Sequence, residues 1–431
     1  MQQKVRENNQ VAIGQRLTLT FDSLDPSGRT RGQFQGIPVL AYDVLPGERA
    51  DVTITKRRRG TLLAEVDTVI VPHPARRTVQ EDHFPTCSPW QIMEYPYQAE
   101  IKQGWITAMI GKPQAFYSAA QEWGYRTKIE YGFIQHEGQL ALSLRGHTTN
   151  ILVPTGCKLA SPTMNTAALE ILLQLQQLTL EPSLLRSLVI RESKTTNTRI
   201  ATLYIREVHN IPLRLKQLTS VQGLTIAVAV PNVSTGIPDQ VLRQEGQGYL
   251  EETIAGLTIR YPFDAFWQNN MSLFPTALHD IHDLVPEHST VAELYAGTGV
   301  IGLSLHNKNV SIQGYEHGES MVYAATQNAI RNGITDAAFT QLSDESFGLR
   351  HLLNVDGLIV DPPRKGLSNR VHEIIQIHPP EYIIYLGCNI TTLAKDVERL
   401  KERYVVTHIS GYDFYPNTPY VETLVKLERK K

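Results

Sequence analysis

Tyr382-Ile383-Ile384-Tyr385-Leu386-Gly387-Cys388-Asn389 is the stretch on which the reading of the fold turns. Tyr382 to Leu386 form an unbroken apolar run of strand length, which predicts a buried strand. Thr391-Thr392-Leu393-Ala394-Lys395-Asp396-Val397 follows and predicts a helix opening on a threonine cap. Cys388 then stands between a strand end and a helix N-terminus, where backbone N–H groups and the helix dipole favour a thiolate. Open α/β sheets bind their ligands at strand ends of this kind.

The same alternation continues outward. Residues 290–294, 311–315 and 355–360 read as strands, 297–305 and 319–332 as helices, and 404–412 and 421–428 as two closing strands. Alternating strands and helices predict a parallel sheet. Residues 256–431 are therefore read as one doubly wound, Rossmann-type domain.

Two strand ends in that domain carry further candidates. Glu293-Leu294-Tyr295-Ala296-Gly297-Thr298-Gly299-Val300 is a strand running into a Gly-rich turn and a helix. Its glycines let a ligand approach the backbone closely, and Glu316, at the end of the next strand, suits a ribose diol. By themselves these residues fit a dinucleotide or S-adenosylmethionine equally. Asp361-Pro362-Pro363-Arg364-Lys365-Gly366 follows the apolar run that ends at Val360. Its prolines stop the strand and hold Asp361 at the carboxyl end, beside two cations.

The N-terminal part reads differently. Residues 16–21, 37–42, 49–56 and 61–69 are β-type runs separated by turn signals, which predicts a small barrel over residues 8–73. Lys56-Arg57-Arg58-Arg59 lies at one hairpin and is a candidate phosphate contact. Residues 74–255 read as a central α+β region, with a helix at 97–110 and another at 165–178.

With 431 residues, 42% of them apolar, the chain has material for two or three cores. A net charge of −2 leaves any nucleic-acid affinity to local patches, and three cysteines argue for a reducing compartment. No apolar stretch reaches the roughly 20 residues needed to span a bilayer. A cytoplasmic, monomeric protein is expected. His279 and His282 lack a third ligand in sequence, and no metal site is assigned.

Phe266-Trp267-Gln268-Asn269, Glu293 to Gly299, Asp361 to Gly366, Leu386-Gly387-Cys388-Asn389 and Val421-Glu422-Thr423 occur in this order. Together they resemble the RNA 5-methyluridine methyltransferase family. The resemblance covers almost the whole chain and likens the N-terminal unit to the TRAM domain, an RNA-binding barrel. It implies an OB-like barrel, a central α+β domain whose helix at about 97–110 packs on the catalytic domain, and a Rossmann-type methyltransferase domain. It also implies S-adenosylmethionine as methyl donor and RNA as substrate, with ribosomal RNA favoured over transfer RNA. Cys388 is then the nucleophile, Glu422 the base, and Gln268, Tyr295, Glu316 and Asp361 contact the donor. Many members hold an iron–sulfur cluster through four cysteines. Here only Cys87 and Cys157 match, Trp90 stands beyond Ser88-Pro89, and no cluster is expected. The rival readings are an RNA cytosine-5-methyltransferase, which also attacks with cysteine, and a non-catalytic RNA-binding or RNA-folding protein.

Overall fold

The computed structural model describes residues 11–146, 150–178, 180, 182–208, 215, 218–231 and 238–431. Residues 8–10, where the expected barrel begins, lie outside the described residues. Two compact units separate, Met1–Gln98 with Asn417–Pro419 and Ala99–Pro416 with Tyr420–Lys431.

The first unit is built on β1 (Arg16–Leu24), β2 (Thr30–Phe34), β3 (Ile37–Ala41), β4 (Arg49–Arg58) and β5 (Thr61–Val71). They close a barrel in the order β1-β2-β3-β5-β4. Inward positions follow the period-2 pattern, with Leu19, Phe21, Val39, Ala41, Val52, Ile54, Leu62 and Ala64 in one core. Strand β2 was not legible, because Thr30-Arg31-Gly32-Gln33-Phe34 lacks a run of apolar residues. Its Gly32 has a structural reason: a Cβ there would come within 2.8 Å of the Thr20 carbonyl oxygen. Buried Glu48 accepts from the His73 N–H at 2.9 Å and pairs with Arg76 Nε at 2.6 Å. The compact unit thus runs on past residue 73, through the short helix α1 (Phe84–Cys87).

Helix α2 (Tyr95–Met109), which lies in the second unit from Ala99 on, and β6 (Ala115–Tyr117) precede a mixed sheet. That sheet holds β7 (Lys128–His136), β8 (Gln139–Arg145), β9 (Asn150–Leu152), β10 (Leu185–Glu192), β11 (Arg199–Ile205), β12 (Gly223–Ala229) and β13 (Pro238–Gly246). Their order is β13-β12-β11-β10-β7-β8-β9. Helix α3 (Pro162–Gln177), capped by the Ser161 side chain, buries Met164, Ala167, Ala168, Ile171, Leu172 and Leu175. A hairpin, β14 (Tyr249–Ile254) and β15 (Leu257–Pro262), leads to α4 (Phe274–Leu284).

The last sheet uses β16 (Thr290–Leu294), β17 (Ser311–Glu316), β18 (Ala337–Gln341), β19 (Gly357–Val360), β20 (Tyr382–Gly387), β21 (Tyr404–Tyr412) and β22 (Glu422–Arg429). Helices α5 (Val300–Leu303), α6 (Glu319–Arg331), α7 (Asn369–Ile377) and α8 (Ile390–Leu400) connect them. The order is β18-β17-β16-β19-β20-β22-β21-β6. Strands β16 to β20 are parallel, as the alternation predicts, and β22 runs antiparallel between β20 and β21. Edge strand β6 comes from the region expected to be central, and Ile106 of α2 packs with Ile390, Ile409 and Val421. Residues near 100–117 therefore belong to the Rossmann-type core. Among the described residues no helix is long and apolar enough to cross a membrane.

Candidate active site

Sheet order decides where the candidates meet. Strand order reverses at β16, whose neighbours are β17 on one side and β19 on the other, and such a switch point opens a crevice at the carboxyl ends. Tyr295, Glu316, Asp361 and Cys388 each follow or close one of these parallel strands. Glu422 reaches the same edge from the opposite direction. Gly387 pairs with Thr423 in the antiparallel register, so one further step brings Cys388 level with Glu422.

At the Gly-rich turn, Tyr295 takes a left-handed conformation with φ 62, which few non-glycine residues adopt. Its hydroxyl donates to Asp344 Oδ2 at 3.0 Å. Gly299 also has positive φ, and a Cβ there would lie 2.7 Å from the Phe339 ring. Both Glu316 oxygens accept from backbone, Oε2 from the Gly297 N–H at 3.0 Å and Oε1 from the Gly318 N–H at 2.8 Å. A carboxylate has about four lone-pair directions, so this one is fixed in place and can still accept from two hydroxyls.

Gln268 Nε2 donates to Asp361 Oδ2 at 3.2 Å, while buried Gln268 Oε1 has no hydrogen-bond partner among the described residues. Burial pushes the Asp361 carboxyl up to about 7 against the Gln268 hydrogen bond. A network behind it fixes the turn. Asp396 Oδ2 accepts from the Leu367 N–H at 2.9 Å and the Tyr385 hydroxyl at 2.8 Å, and Oδ1 meets His372 Nε2 at 2.8 Å. Gly366, at φ +79, passes so close that a Cβ would meet Asp396 Oδ2 at 2.5 Å.

The helix after Cys388 is capped by Asn389, not by a threonine. The Asn389 side chain accepts from the Thr391 N–H at 3.2 Å and donates to the Arg364 carbonyl oxygen at 3.0 Å. One residue thus caps α8 and ties the cysteine turn to the Asp361 turn. The thiolate expectation also needs correction. The half-buried Cys388 thiol is pushed up to about 12, by burial first, then by the Glu422 and Asp361 carboxylates, with Arg364 opposing. Buried Glu422 rises well above the usual range through burial and Asp361, against Tyr415 and Arg364. Its Oε2 accepts from the Tyr415 hydroxyl at 3.5 Å, and Oε1 has no hydrogen-bond partner among the described residues. Arg364 stacks over the Tyr420 ring at 3.9 Å.

Four participants were missed in the sequence. Tyr415 sits in a loop with no periodic signal. Its backbone is held by a fully buried pair: Lys102 Nζ donates to Asp413 Oδ1 at 2.6 Å and to the Tyr415 carbonyl oxygen at 3.0 Å. Asp413 Oδ1 also accepts from the Tyr415 N–H at 3.2 Å. Lys102 is remote in sequence, so only the fold reveals the link. Glu293 gave a signal that went unread, a carboxyl inside an apolar strand. It is buried, accepts from the Gly302 N–H at 3.1 Å, and is pushed up to about 8 by burial, with Asp361 and Glu316 adding to the rise.

Glu293 makes stability pH-dependent. Unfolded, it releases its proton near the ordinary glutamate value of 4.5, and folded it keeps it to about 8. The folded chain therefore binds more protons across that window, and stability is lost as pH rises through it. The thermal midpoint of the ligand-free protein is expected to fall between about pH 6 and pH 8.5, and less steeply in Glu293→Gln. Equal slopes by differential scanning fluorimetry would show that Glu293 does not drive the dependence.

The model of the tRNA (uracil-5-)-methyltransferase family matches residues 98–430. An uncharacterized RNA methyltransferase of Thermosynechococcus vestitus is 28% identical, over 96% of this chain and 98% of its own. One of Lactiplantibacillus plantarum is 26% identical, over 97% and 94%. The Pyrococcus abyssi tRNA (uracil-54, C5)-methyltransferase, solved with S-adenosyl-L-homocysteine, superposes with TM-score 0.77 at 22% identity, over 95% of this chain and 100% of that one. That likeness establishes a shared fold, barrel and sheets included. With the family match spanning both turns, Cys388 and Glu422, the chain belongs to the tRNA (uracil-5-)-methyltransferase family, the S-adenosylmethionine-dependent enzymes that methylate RNA uracil at carbon 5.

Proposed function

We propose that this chain methylates carbon 5 of a specific uridine through a covalent Cys388 adduct, with ribosomal RNA the first substrate to test and transfer RNA the second. The meeting of Cys388 and Glu422 at one sheet edge, through the β20–β22 register, carries the reading. Carbon 5 of uracil is a weak nucleophile. Thiolate addition to carbon 6 forms a C–S bond and moves an electron pair into an enolate, which makes carbon 5 nucleophilic. S-Adenosylmethionine, when bound, supplies an electrophilic methyl group on a sulfonium; carbon 5 bonds to that methyl with the enolate electron pair as the sulfur–methyl bond breaks, leaving S-adenosylhomocysteine. Loss of the carbon 5 proton to Glu422 restores the double bond and expels the thiolate. The target base must be unstacked to expose carbon 6.

The residues fit a cationic donor. Three buried carboxyls, Glu293, Asp361 and Glu422, are all raised, by burial first, and a cation bound beside them would offset that cost. Glu316 suits the ribose hydroxyls, Gln268 Oε1 offers an acceptor beside Asp361, and Tyr295 offers a ring face. Arg364 favours the thiolate form of Cys388. Retention of nucleophile and base together weighs against the non-catalytic reading. We further propose that the enzyme acts as a cytoplasmic monomer, and that residues 8–73, 74–255 and 256–431 serve as RNA-binding, central and catalytic regions, with the helix near 97–110 packed on the catalytic one.

The barrel's part is testable through the hairpin of Lys56, Arg57, Arg58 and Arg59, all four exposed. Changing all four to Ala is expected to weaken RNA binding and flatten the dependence of log K on log salt by about 3. An unchanged slope in filter binding would remove the hairpin from the interface. For the reaction itself, ribosomal and transfer RNA from a strain lacking the gene are treated with enzyme and S-adenosylmethionine, then digested for nucleoside mass spectrometry. The reading predicts new 5-methyluridine in one of the two pools. New 5-methylcytidine would support the cytosine rival, and no product in either pool the binding-protein rival.

A further inference from the structure

Helix α4 buries Phe274, Ala277, Leu278 and Ile281 along one stripe. The same period turns His279, His282 and Asp283, at i, i+3 and i+4, to a common outer face. By sequence the two histidines lack a third ligand, and the helix supplies one. His279 Nδ1 stands 3.4 Å and His282 Nδ1 3.3 Å from the same Asp283 oxygen, Oδ1. The three ligand atoms all lie within 4.8 Å of one another. Ligand atoms about 2.0–2.2 Å from a tetrahedral ion are about 3.4 Å apart, so both contacts already have the spacing of a shared shell.

A second element orients the group. Lys308 Nζ donates to the His282 and Val285 carbonyl oxygens, each at 2.6 Å, which pins the turn His306–Lys308 to the end of α4. Asn307, in that turn, places its Oδ1 2.9 Å from His282 Nε2. An amide oxygen only accepts, so Nε2 carries the proton and, in the neutral ring, Nδ1 presents a lone pair. That lone pair faces the Asp283 carboxylate at 3.3 Å, acceptor against acceptor. A cation held by both removes the conflict.

We propose that His279, His282 and Asp283 bind one divalent cation of the zinc class, with water in its remaining positions and Asn307 as the outer partner of His282. The donor set selects the ion: imidazole nitrogen suits zinc, whereas magnesium and calcium call for oxygen. The place is favourable too, since the C-terminal end of a helix attracts positive charge. Exposure of His279 and Asp283 keeps the ion exchangeable. Its effect is to clamp the end of α4, apart from the proposed chemistry.

The test uses the full-length chain, freed of any affinity tag, stripped with chelator and titrated with zinc by calorimetry. The wild type is expected to take up about one ion per chain more than His279→Ala with His282→Ala. Zinc should also raise the thermal midpoint of the wild type more than that of the double variant. Asn307→Ala keeps all three ligands and should bind this ion at least about tenfold more weakly. No zinc uptake by the wild type, or equal uptake by wild type and double variant, overturns the proposal. The contacts would then be those of protonated imidazoles with Asp283. Where the double variant does not fold, His279→Ala alone, at the most exposed ligand, gives the same comparison.

Discussion

Cys388→Ala is expected to abolish methyl transfer, lowering the rate by at least roughly three orders of magnitude, with the fold and RNA binding retained. Without the thiol no adduct forms at carbon 6, and carbon 5 stays too electron-poor to take a methyl group. Cys388 is half-buried, so truncation removes chemistry and little packing. Glu422→Gln should behave differently. The glutamine keeps the shape and the contact with Tyr415 but accepts no proton, so turnover falls by about 10²–10⁴ and the methylated adduct accumulates. A band resistant to denaturing electrophoresis, present in Glu422→Gln and absent from Cys388→Ala, is the expected signature. Activity of Cys388→Ala within tenfold of wild type would remove the cysteine from the mechanism.

The second large effect is on stability. Lys102 and Asp413 are both fully buried and 2.6 Å apart. Lys102→Met leaves the Asp413 carboxylate uncompensated and should cost about 3–5 kcal/mol. Lys102→Met with Asp413→Leu should recover much of that loss, since an apolar pair can replace a buried ion pair. Activity should not return to the same extent. The pair holds both the N–H and the carbonyl of Tyr415, whose hydroxyl meets Glu422. Thermal unfolding and single-turnover rates of the wild type, single and double variants separate the two roles. Full activity in a restored double variant would limit the ion pair to stability.

The catalytic sheet was legible because parallel strands buried on both faces read as apolar runs, as at Tyr382–Gly387 and Gly357–Val360. The cysteine, the glycine turn and the Asp-Pro-Pro turn were visible because each punctuates such a run. What was not legible depended on partners distant in sequence. Strand β2 exists because β1 and β3 pair with it, and edge strand β6 because β21 does. The thiolate expectation failed for a related reason. A helix N-terminus is a local feature, whereas burial under the rest of the fold, and then the Glu422 and Asp361 carboxyls arriving from other strands, push the thiol up. The cap moved from threonine to Asn389 because the asparagine also reaches the Arg364 carbonyl.

The most direct test of the central claim is the chemical identity of the trapped species. Glu422→Gln is incubated with substrate RNA and S-adenosylmethionine, the complex is digested with nuclease and protease, and the peptides are sequenced by mass spectrometry. The account predicts a single modified peptide, with a methylated uridine nucleotide joined to Cys388. A nucleotide on any other residue, or free 5-methyluridine formed at the wild-type rate with no adduct, would contradict it.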